Sequence, residues 1–470
     1  MEAHDYNGEH QPDLKLLVKR YEDMLLEGGI TFLEADSFLM LSDYYEDESN
    51  FNLALDVIRH AIQQHPFSTS LFIRKAQLLS EQEKYDLAFN ALDMAVLYSP
   101  SELDIYLTKA DIYLRMLQHE KALQVLSIAK EYAGVIDLAD IHILESTIYE
   151  TKKNYSKAIE CLKCALSKDA SNDIALSRLW GLYDLAQEYG NAIAFHKDFI
   201  NENPYSYWAW FNLGHAYLNL EMIENAAEAF DYVIVINDRF EPAYHYYSDC
   251  LIGLGKYDLA LRYLNEYQDF FKADAQVWYY MGQCYEFKSE YKKAIYFYTK
   301  ALDTNNFGGR IYHCIGNCYI MQNLWDLAEK SFLQAYKIDK FNEEFCLSLA
   351  DTYDALGDSE KAHDFYHKAL AIAPKEISIW IHYIEFLMDE ECYSVAIEML
   401  AEAKEYIDDI ILDYALAAVL LESGQRQEGF IVLGRALNDN YKAHKHFFQI
   451  SPKLKEDASV ASLIMHYHEE

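Results

Sequence analysis

The sequence predicts an all-α protein in which pairs of antiparallel helices stack into an α-solenoid. Three observations predict this fold class. A small residue recurs every 34 positions over most of the 470-residue chain, a second small residue precedes it by twelve positions, and an aromatic residue precedes it by three. One helix–turn–helix pair of this length cannot bury its own apolar faces, so it needs copies stacked alongside. The period therefore indicates a helical array.

The recurring small residue is alanine in eleven repeats and glycine in the last, and its spacing departs from 34 only twice. Two residues are inserted before the fourth repeat and one is deleted before the twelfth. The residues are Ala54, Ala88, Ala122, Ala158, Ala192, Ala226, Ala260, Ala294, Ala328, Ala362, Ala396 and Gly429. The sequence thus predicts twelve repeats, beginning near residues 35, 69, 103, 139, 173, 207, 241, 275, 309, 343, 377 and 410.

In ten of the twelve repeats the first helix has its own small residue, at repeat position 8. Two antiparallel helices approach closely only where neither carries a bulky side chain. Position 8 is small in ten repeats: Ser42, Ala76, Ala110, Ser146, Gly214, Ser248, Gly282, Gly316, Ala350 and Ala417. The exceptions are Trp180 and Ile384, which we expect to spread their two helices apart or to turn elsewhere.

Residues 207–238 show both helices of one repeat. An apolar stripe at i, i+3, i+4 and i+7 marks the first helix, and Ala226 and Phe230, four apart, mark the second. The stripe consists of Trp210, Leu213, Gly214 and Tyr217. An aromatic residue precedes the recurring small residue at Phe51, Tyr85, Tyr155, Tyr189, Tyr257, Tyr291, Trp325 and Tyr393, and repeats end near Pro66, Pro100, Pro204 and Pro374.

In its period and signature positions the chain resembles the tetratricopeptide repeat family over almost nine-tenths of its length. The resemblance implies a right-handed superhelix of helix–turn–helix repeats across residues 35–443. Residues 1–34 are predicted to hold a disordered tail and a capping helix from Asp13 to Glu27, ended by Gly28 and Gly29. Residues 444–470 are predicted to form a C-terminal cap, with Ser451 and Pro452 opening its last helix near Leu454.

The composition restricts the classes of partner. The net charge of −36 argues against non-specific nucleic-acid binding and favours neutral or basic partners. Residues 1–11 lack the features of a signal peptide, and the longest apolar run, residues 414–421, is far short of the ~20 residues that span a bilayer. We therefore expect a cytoplasmic protein without membrane insertion. A bacterial origin is part of the overall prediction.

Motifs that resemble chemical sites all fit the repeat pattern better. Cys161 and Cys164 form a C-x-x-C within a second helix, with no second pair to complete a zinc site. His363 and His367 lack the intervening Glu of a metalloprotease helix and are expected to be solvated. Residues 253–256 fall between two helices and predict a turn. The cysteines at repeat position 10 are expected to be packing residues: Cys250, Cys284 and Cys318. No catalytic residue, metal site or cofactor is predicted.

The resemblance implies that positions 2, 5, 9, 12 and 13 of the first helices face a concave groove. In repeats 6 to 9 these positions combine aromatic, amide and charged side chains, which suits the binding of a peptide. The candidate partner-binding residues are Trp208, Phe211, His215, His245, Asp249, Tyr279, Gln283, Phe287, Arg310, His313 and Asn317. Alternatively, the groove aromatics fill a narrow superhelix and contact only each other.

A carboxylate clamp for chaperone C-termini is not predicted, because position 5 never carries Lys and position 9 carries Asn only at Asn317. The function predicted is a non-enzymatic scaffold that holds a segment of a partner protein in its groove. Two alternatives remain: a structural protein acting through its acidic outer face or through self-association, and a regulatory subunit of a separately encoded complex. The sequence leaves the oligomeric state open.

Overall fold

The computed structural model describes residues 14–27, 32–302 and 308–468, and all regular elements within these ranges are helices. The chain divides into two compact units, Met1–Asp238 and Arg239–Glu470, here called the N-terminal unit and the C-terminal unit.

The N-terminal unit consists of one helix followed by six helix pairs. The first helix is α1 (Leu14–Glu27). The pairs are α2 (Ala35–Asp47) with α3 (Phe51–Gln64), α4 (Thr69–Glu81) with α5 (Tyr85–Tyr98), α6 (Leu103–Arg115) with α7 (His119–Tyr132), α8 (Asp137–Thr151) with α9 (Tyr155–Lys168), α10 (Asp173–Ala186) with α11 (Tyr189–Glu202), and α12 (Tyr207–Leu218) with α13 (Ile223–Ile236).

The C-terminal unit consists of six further pairs and a short helical end. The pairs are α14 (Glu241–Gly253) with α15 (Tyr257–Phe270), α16 (Ala275–Phe287) with α17 (Tyr291–Leu302), α18 (Gly308–Ile320) with α19 (Trp325–Ile338), α20 (Glu343–Ala355) with α21 (Ser359–Ile372), α22 (Ile377–Asp389) with α23 (Tyr393–Tyr406), and α24 (Ile410–Glu422) with α25 (Arg426–Asn440). A 3-10 turn (Tyr441–Ala443), α26 (His444–Ile450), a second 3-10 turn (Pro452–Glu456) and α27 (Ala458–His468) follow.

The twelve predicted repeats are confirmed. First helices begin at the predicted residue in ten repeats, and at Asp137 and Gly308 in the other two. The two residues inserted before the fourth repeat lengthen its first helix at the N-terminal end, since α8 begins two residues before the predicted start. α8 begins at Asp137, whose carboxylate accepts a hydrogen bond from the backbone N–H of Gly134 (2.9 Å) and so fixes the loop that leads into the helix.

The same turn joins the two helices of every repeat. The fifteenth residue of each repeat has a left-handed backbone. In the first eleven repeats the following N–H donates to the carbonyl five residues back, as in the bond from Lys256 to Leu251 (2.8 Å). The predicted turn at residues 253–256 is confirmed. Glycine occupies the left-handed position at Gly255, Gly357 and Gly424, and other residues do so at Ser49, Glu83, Leu117, Lys153, Gln187, Glu221, Ser289, Asn323 and Glu391.

The recurring small residues lie at helix crossings, where the twelve predicted positions are all buried. At three first helices the crossing is between a glycine and a ring sixteen residues later. A Cβ atom on Gly214 would lie 2.7 Å from the ring of Phe230, and Gly282 and Gly316 face Tyr298 and Phe332 in the same way. These rings stand at repeat position 24, which is buried throughout: Ile58, Leu92, Leu126, Leu162, His196, Phe230, Leu264, Tyr298, Phe332, Tyr366, Leu400 and Leu433.

The two large residues at position 8 act as expected. Trp180 is half-buried, and its ring turns away to stack on His215 of the next repeat, with centroids 4.5 Å apart. Ile384 is fully buried between its helices. In both repeats, α10 with α11 and α22 with α23, the paired helices approach each other over fewer residues than elsewhere.

Both ends of the array are covered by helices. Tyr21 of α1 is fully buried and packs its ring edge-on against Phe38 of the first repeat. At the other end Pro452 opens a 3-10 turn rather than the last helix, and the Ser451 hydroxyl binds Glu422 instead of capping this turn. The last helix begins at Ala458, after Asp457, which accepts hydrogen bonds from two backbone N–H groups, so the start predicted near Leu454 was wrong. Residues 1–13, Gly28 and Gly29 lie outside the described residues, and the predicted boundaries at residues 34 and 443 stay a prediction.

Candidate functional site

Two adjoining pockets open on the first helices of the C-terminal unit. They measure about 230 Å³ and 520 Å³, and both are lined by Tyr279, Gln283 and Arg310. The surface formed by α14, α16, α18 and α20 around these pockets is called the first-helix face below. Because three side chains belong to both pockets, a ligand in one pocket can extend into the other without leaving this face.

The smaller pocket has aromatic walls and polar groups that hold them in place. Gln276 Nε2 donates to the Tyr280 hydroxyl (2.8 Å), and Gln283 Nε2 donates to the Tyr279 hydroxyl (3.2 Å). Asp249 and Arg310 bring opposite charges to the same pocket, and Ala275 and Ile311 complete its lining. Each phenol is fixed by an amide one helical turn away, so the rings are preorganised for contact.

The larger pocket contains a half-buried carboxylate. Glu286 accepts a hydrogen bond from the hydroxyl of the core residue Tyr298. Burial raises the pKa of Glu286, and this bond opposes the rise. The lining also includes Phe287, Cys314, Asn342, Glu344 and Phe345. A carboxylate held this way has a fixed direction and is a ready acceptor for a partner's N–H or cationic group.

His313 stands in the same pocket between two rings. Its imidazole lies 5.3 Å from the centroids of both Phe332 and Phe345, and its Nε2 is 2.8 Å from the Ser348 hydroxyl. Burial lowers the pKa of His313, while Glu344 opposes this. A neutral imidazole at physiological pH therefore offers this pocket an aromatic surface rather than a charge.

Arg310 lies at the junction of the two pockets. Its guanidinium carbon is 5.8 Å from the centroid of the Tyr279 ring, which allows a cation–π contact. The side chain is exposed, and within the described part of the chain it makes no ion pair. The two pockets together also contain Asp249, Glu286 and Glu344, so carboxylates outnumber the guanidinium three to one.

The structure brings six of the predicted partner-binding residues together in these pockets: Asp249, Tyr279, Gln283, Phe287, Arg310 and His313. His245 and Asn317 are half-buried on the same helices but line neither pocket. Sequence reasoning missed Glu286, although it stands at repeat position 12 of the frame used. It also missed Gln276 and Glu344, which stand at position 2 of their repeats, and Tyr280, Asn342 and Phe345, for whose positions the frame carries no signal.

The three predicted residues of the N-terminal unit pack against one another. The Trp208 ring meets Phe211 edge-on (5.7 Å), and Phe211 meets His215 edge-on (4.5 Å). Phe211 is 7% and His215 5% exposed, whereas Trp208 is half-buried. Burial lowers the pKa of His215 to about 4. Of these three, Trp208 keeps the most accessible surface for a partner.

Among the described residues, one group of three side chains has the spacing of metal ligands: Glu241, His245 and Asp274, with ligand atoms within 4.8 Å. Each of the three is already engaged or poorly supported. Glu241 accepts from Tyr267, Asp274 caps α16, and the buried His245 Nδ1 lacks the hydrogen-bond partner that orients a metal-binding imidazole. We assign it no metal role.

Of the two histidines predicted to be solvated, His367 is exposed and His363 is half-buried, and both are also bonded within the protein. His363 Nδ1 and His367 Nε2 lie 2.9 Å and 3.0 Å from the hydroxyl of the buried Tyr383. The repeat frame could not show this, because Tyr383 belongs to the next repeat. The cysteines at repeat position 10 are buried, as predicted, and burial raises the pKa of Cys161 to about 12, as expected of an unreactive thiol.

Among the described helices, none combines the length and the apolar character needed to span a bilayer.

Models of known families match four stretches of the chain. Tetratricopeptide repeat models match residues 209–234 and 343–376, and another matches residues 251–308. The model of the ChAPs, the Chs5p-Arf1p-binding proteins, matches residues 39–129. No curated protein matches the sequence.

Solved structures similar to this chain include a tetratricopeptide repeat protein from Parabacteroides merdae (14% identity, 52% of this chain and 96% of that one, TM-score 0.40). Others are Cut9-Hcn1 of the APC/C (14%, 97% and 99%, 0.36) and YrrB, described as a tetratricopeptide repeat protein with an unusual peptide-binding site (17%, 39% and 95%, 0.33). At such identities the likeness concerns the fold alone. The family matches and the twelve helix pairs identify the chain as a tetratricopeptide repeat protein. They support a role as a protein-interaction adaptor.

Proposed function

We propose that this tetratricopeptide repeat protein is a non-enzymatic scaffold that holds a segment of a partner protein across the two pockets of its C-terminal unit. The observation that supports this most directly is their common lining by Tyr279, Gln283 and Arg310. Rings provide contact area at low entropic cost, and the fixed amides can satisfy the backbone of an extended peptide.

The charge of the site indicates the chemistry of the partner. Asp249, Glu286 and Glu344 outnumber Arg310, and the whole chain carries a net charge of −36. A segment with apolar anchors and basic side chains would therefore match the pockets and be steered toward them. A location in the cytoplasm is part of this proposal, and the bacterial origin stays a prediction.

The test uses peptides selected on the full chain from a displayed library of random twelve-residue sequences. Tyr279→Ala should weaken the binding of the selected peptides by about 2 kcal/mol, because it removes the ring common to both pockets. Tyr296→Ala is the matched control, since Tyr296 is an exposed tyrosine of α17 outside the pockets. Affinities are measured by fluorescence anisotropy.

The selected peptides should be rich in Arg, Lys and aromatic residues, and higher salt should slow their association more than it speeds release. Trp208→Ala shows whether the N-terminal unit takes part. Equal affinity of Tyr279→Ala and Tyr296→Ala would reject the two pockets as the binding site, and the acidic outer face would become the better candidate.

A second candidate function follows from the match at residues 39–129. The matched family is named for binding Chs5p and Arf1p, and the matched residues fall within the first three repeats, α2 to α7. These repeats could accordingly bind a partner of that kind. Titration of purified Arf1p or Chs5p onto the full chain tests this, and binding that persists in Tyr279→Ala would separate it from the first proposal.

A further inference from the structure

A basic pocket lies between α3, α4 and α5 of the N-terminal unit. Its positive charge contrasts with the net charge of −36 of the whole chain. It measures about 340 Å³. Three polar side chains and five apolar ones line it: Arg59, Lys75, Asn90, Phe72, Leu79, Leu87, Ala91 and Met94. Carboxylates are absent from this lining, although the chain has 76 Asp and Glu against 40 Lys and Arg.

Lys75 occupies repeat position 7, which belongs to the core in most repeats. The residues there are apolar and buried in eight repeats: Leu41, Leu179, Leu213, Tyr247, Met281, Ile315, Leu349 and Tyr383. Three consecutive repeats carry a charged residue instead, namely Lys75, Lys109 and Glu145. A charge at such a position is costly unless a partner compensates it.

Two of these three charges are compensated within the protein. Lys109 Nζ lies 3.8 Å from Asp93, and Glu145 binds Lys130 (2.7 Å) and His142 (2.8 Å). Lys75 has no such partner among the described residues, and the charged group that acts on it is the guanidinium of Arg59. Burial, and secondly Arg59, lower the pKa of Lys75. A half-buried ammonium facing another cation lacks an anion.

The other residues that line the pocket indicate which chemical group a bound anion would carry beside it. Leu87 and Met94 line the pocket but are 53% and 39% exposed, so they leave apolar surface uncovered beside the ammonium. Asn90 is exposed and adds an amide donor. Arg59 is held by Asp56 at 2.7 Å, but both side chains are about half exposed and the pair is weak.

We propose that this pocket binds a partner segment in which a Glu or Asp side chain stands next to a large apolar side chain. The carboxylate pairs with Lys75 and Arg59, and the apolar side chain covers Leu87 and Met94. An anionic membrane or nucleic acid fits less well, because the charge of −36 repels extended anionic surfaces. The site is independent of the pockets in the C-terminal unit.

The test measures how tightly the full chain binds two sets of labelled peptides. One set has a fixed Leu-Glu core between random flanks, and the other has Leu-Gln in place of that core. We expect the Glu peptides to bind about tenfold more tightly, as for one charge-assisted contact. In Lys75→Met this preference should be largely lost, because the remaining cation, Arg59, is already paired with Asp56. The fold should persist, because most repeats have an apolar residue at position 7. Lys109→Met removes the paired lysine of the next repeat and should keep the preference.

A carbodiimide reagent should also couple a bound Glu peptide to the Lys75 amine, and the coupled residue is identified by mass spectrometry. Equal affinity of Glu and Gln peptides would overturn the proposal, as would loss of the preference in Lys109→Met. Absence of binding by the whole peptide set would contradict it too. A phosphoserine core that binds more than about tenfold tighter than the Glu core would assign the pocket to phosphopeptides instead.

Discussion

Replacing Gly282 with Leu is expected to lower the free energy of unfolding of the C-terminal unit by about 3 kcal/mol. A Cβ atom at this position would lie 2.5 Å from two carbons of the Tyr298 ring, and a leucine places three more carbons in the same space. The ring cannot easily yield, because Tyr298 is fully buried and its hydroxyl is bonded to Glu286. The two helices must therefore separate.

The matched control is Gly253→Leu, the same substitution at an exposed helical position of the same unit, where a Cβ would meet nothing within 4 Å. It should be neutral or stabilising by up to about 1 kcal/mol, because leucine favours helix over glycine. Thermal unfolding gives the stability of both variants. Amide hydrogen exchange should become faster from α15 to α19 in Gly282→Leu alone. Equal melting temperatures would show that the crossing at Gly282 is not tight.

The same contact shows which features of the fold the sequence could predict. Helix starts and turns depend on residues close in the chain, so the period placed ten first helices at the right residue. The ring against Gly282 lies sixteen residues away, and its choice depends on how two helices cross. Position 8 was therefore predicted to be small without any indication of the residue it would face.

The candidate site was predictable to a similar degree. The repeat frame placed Asp249, Tyr279 and Arg310 on one face, because residues at equal repeat positions stack along an array. The repeat frame did not predict which of these residues are accessible where side chains of neighbouring repeats contact each other. His215 fits the frame as well as Tyr279 does, yet Trp180 of the preceding repeat covers it. The frame likewise could not reveal that Lys75 lacks a carboxylate partner.

His196 is the residue at which the core departs most from the pattern of its neighbours. It stands at repeat position 24, where the other eleven repeats carry apolar or aromatic residues, and it is fully buried. Neither ring nitrogen has a hydrogen-bond partner among the described residues, and the hydroxyl of the neighbouring Tyr183 is also unpaired. Burial lowers the pKa of His196 to about 3, from an ordinary value of 6.5.

The N-terminal unit is therefore expected to lose stability as the pH falls below about 6.5. Below that value the unfolded chain binds a proton on His196, whereas the folded state stays unprotonated down to about pH 3. At pH 5 the difference of about 1.5 pH units corresponds to about 2 kcal/mol. His215, whose pKa is lowered to about 4, acts in the same direction.

His196→Leu tests this expectation, since leucine is the commonest residue at position 24. At pH 7.5 the variant should be more stable by about 1–3 kcal/mol, because two unpaired buried nitrogens are removed. Between pH 7.5 and pH 5 it should lose about 2 kcal/mol less than the wild type in urea unfolding, the remaining loss coming from other buried histidines. His119→Leu makes the same substitution at a half-buried histidine of the same unit and is the control. If His196→Leu retained the full acid loss, the imidazole would have to be hydrated or hydrogen-bonded in solution, and position 24 of the fifth repeat would be open to water.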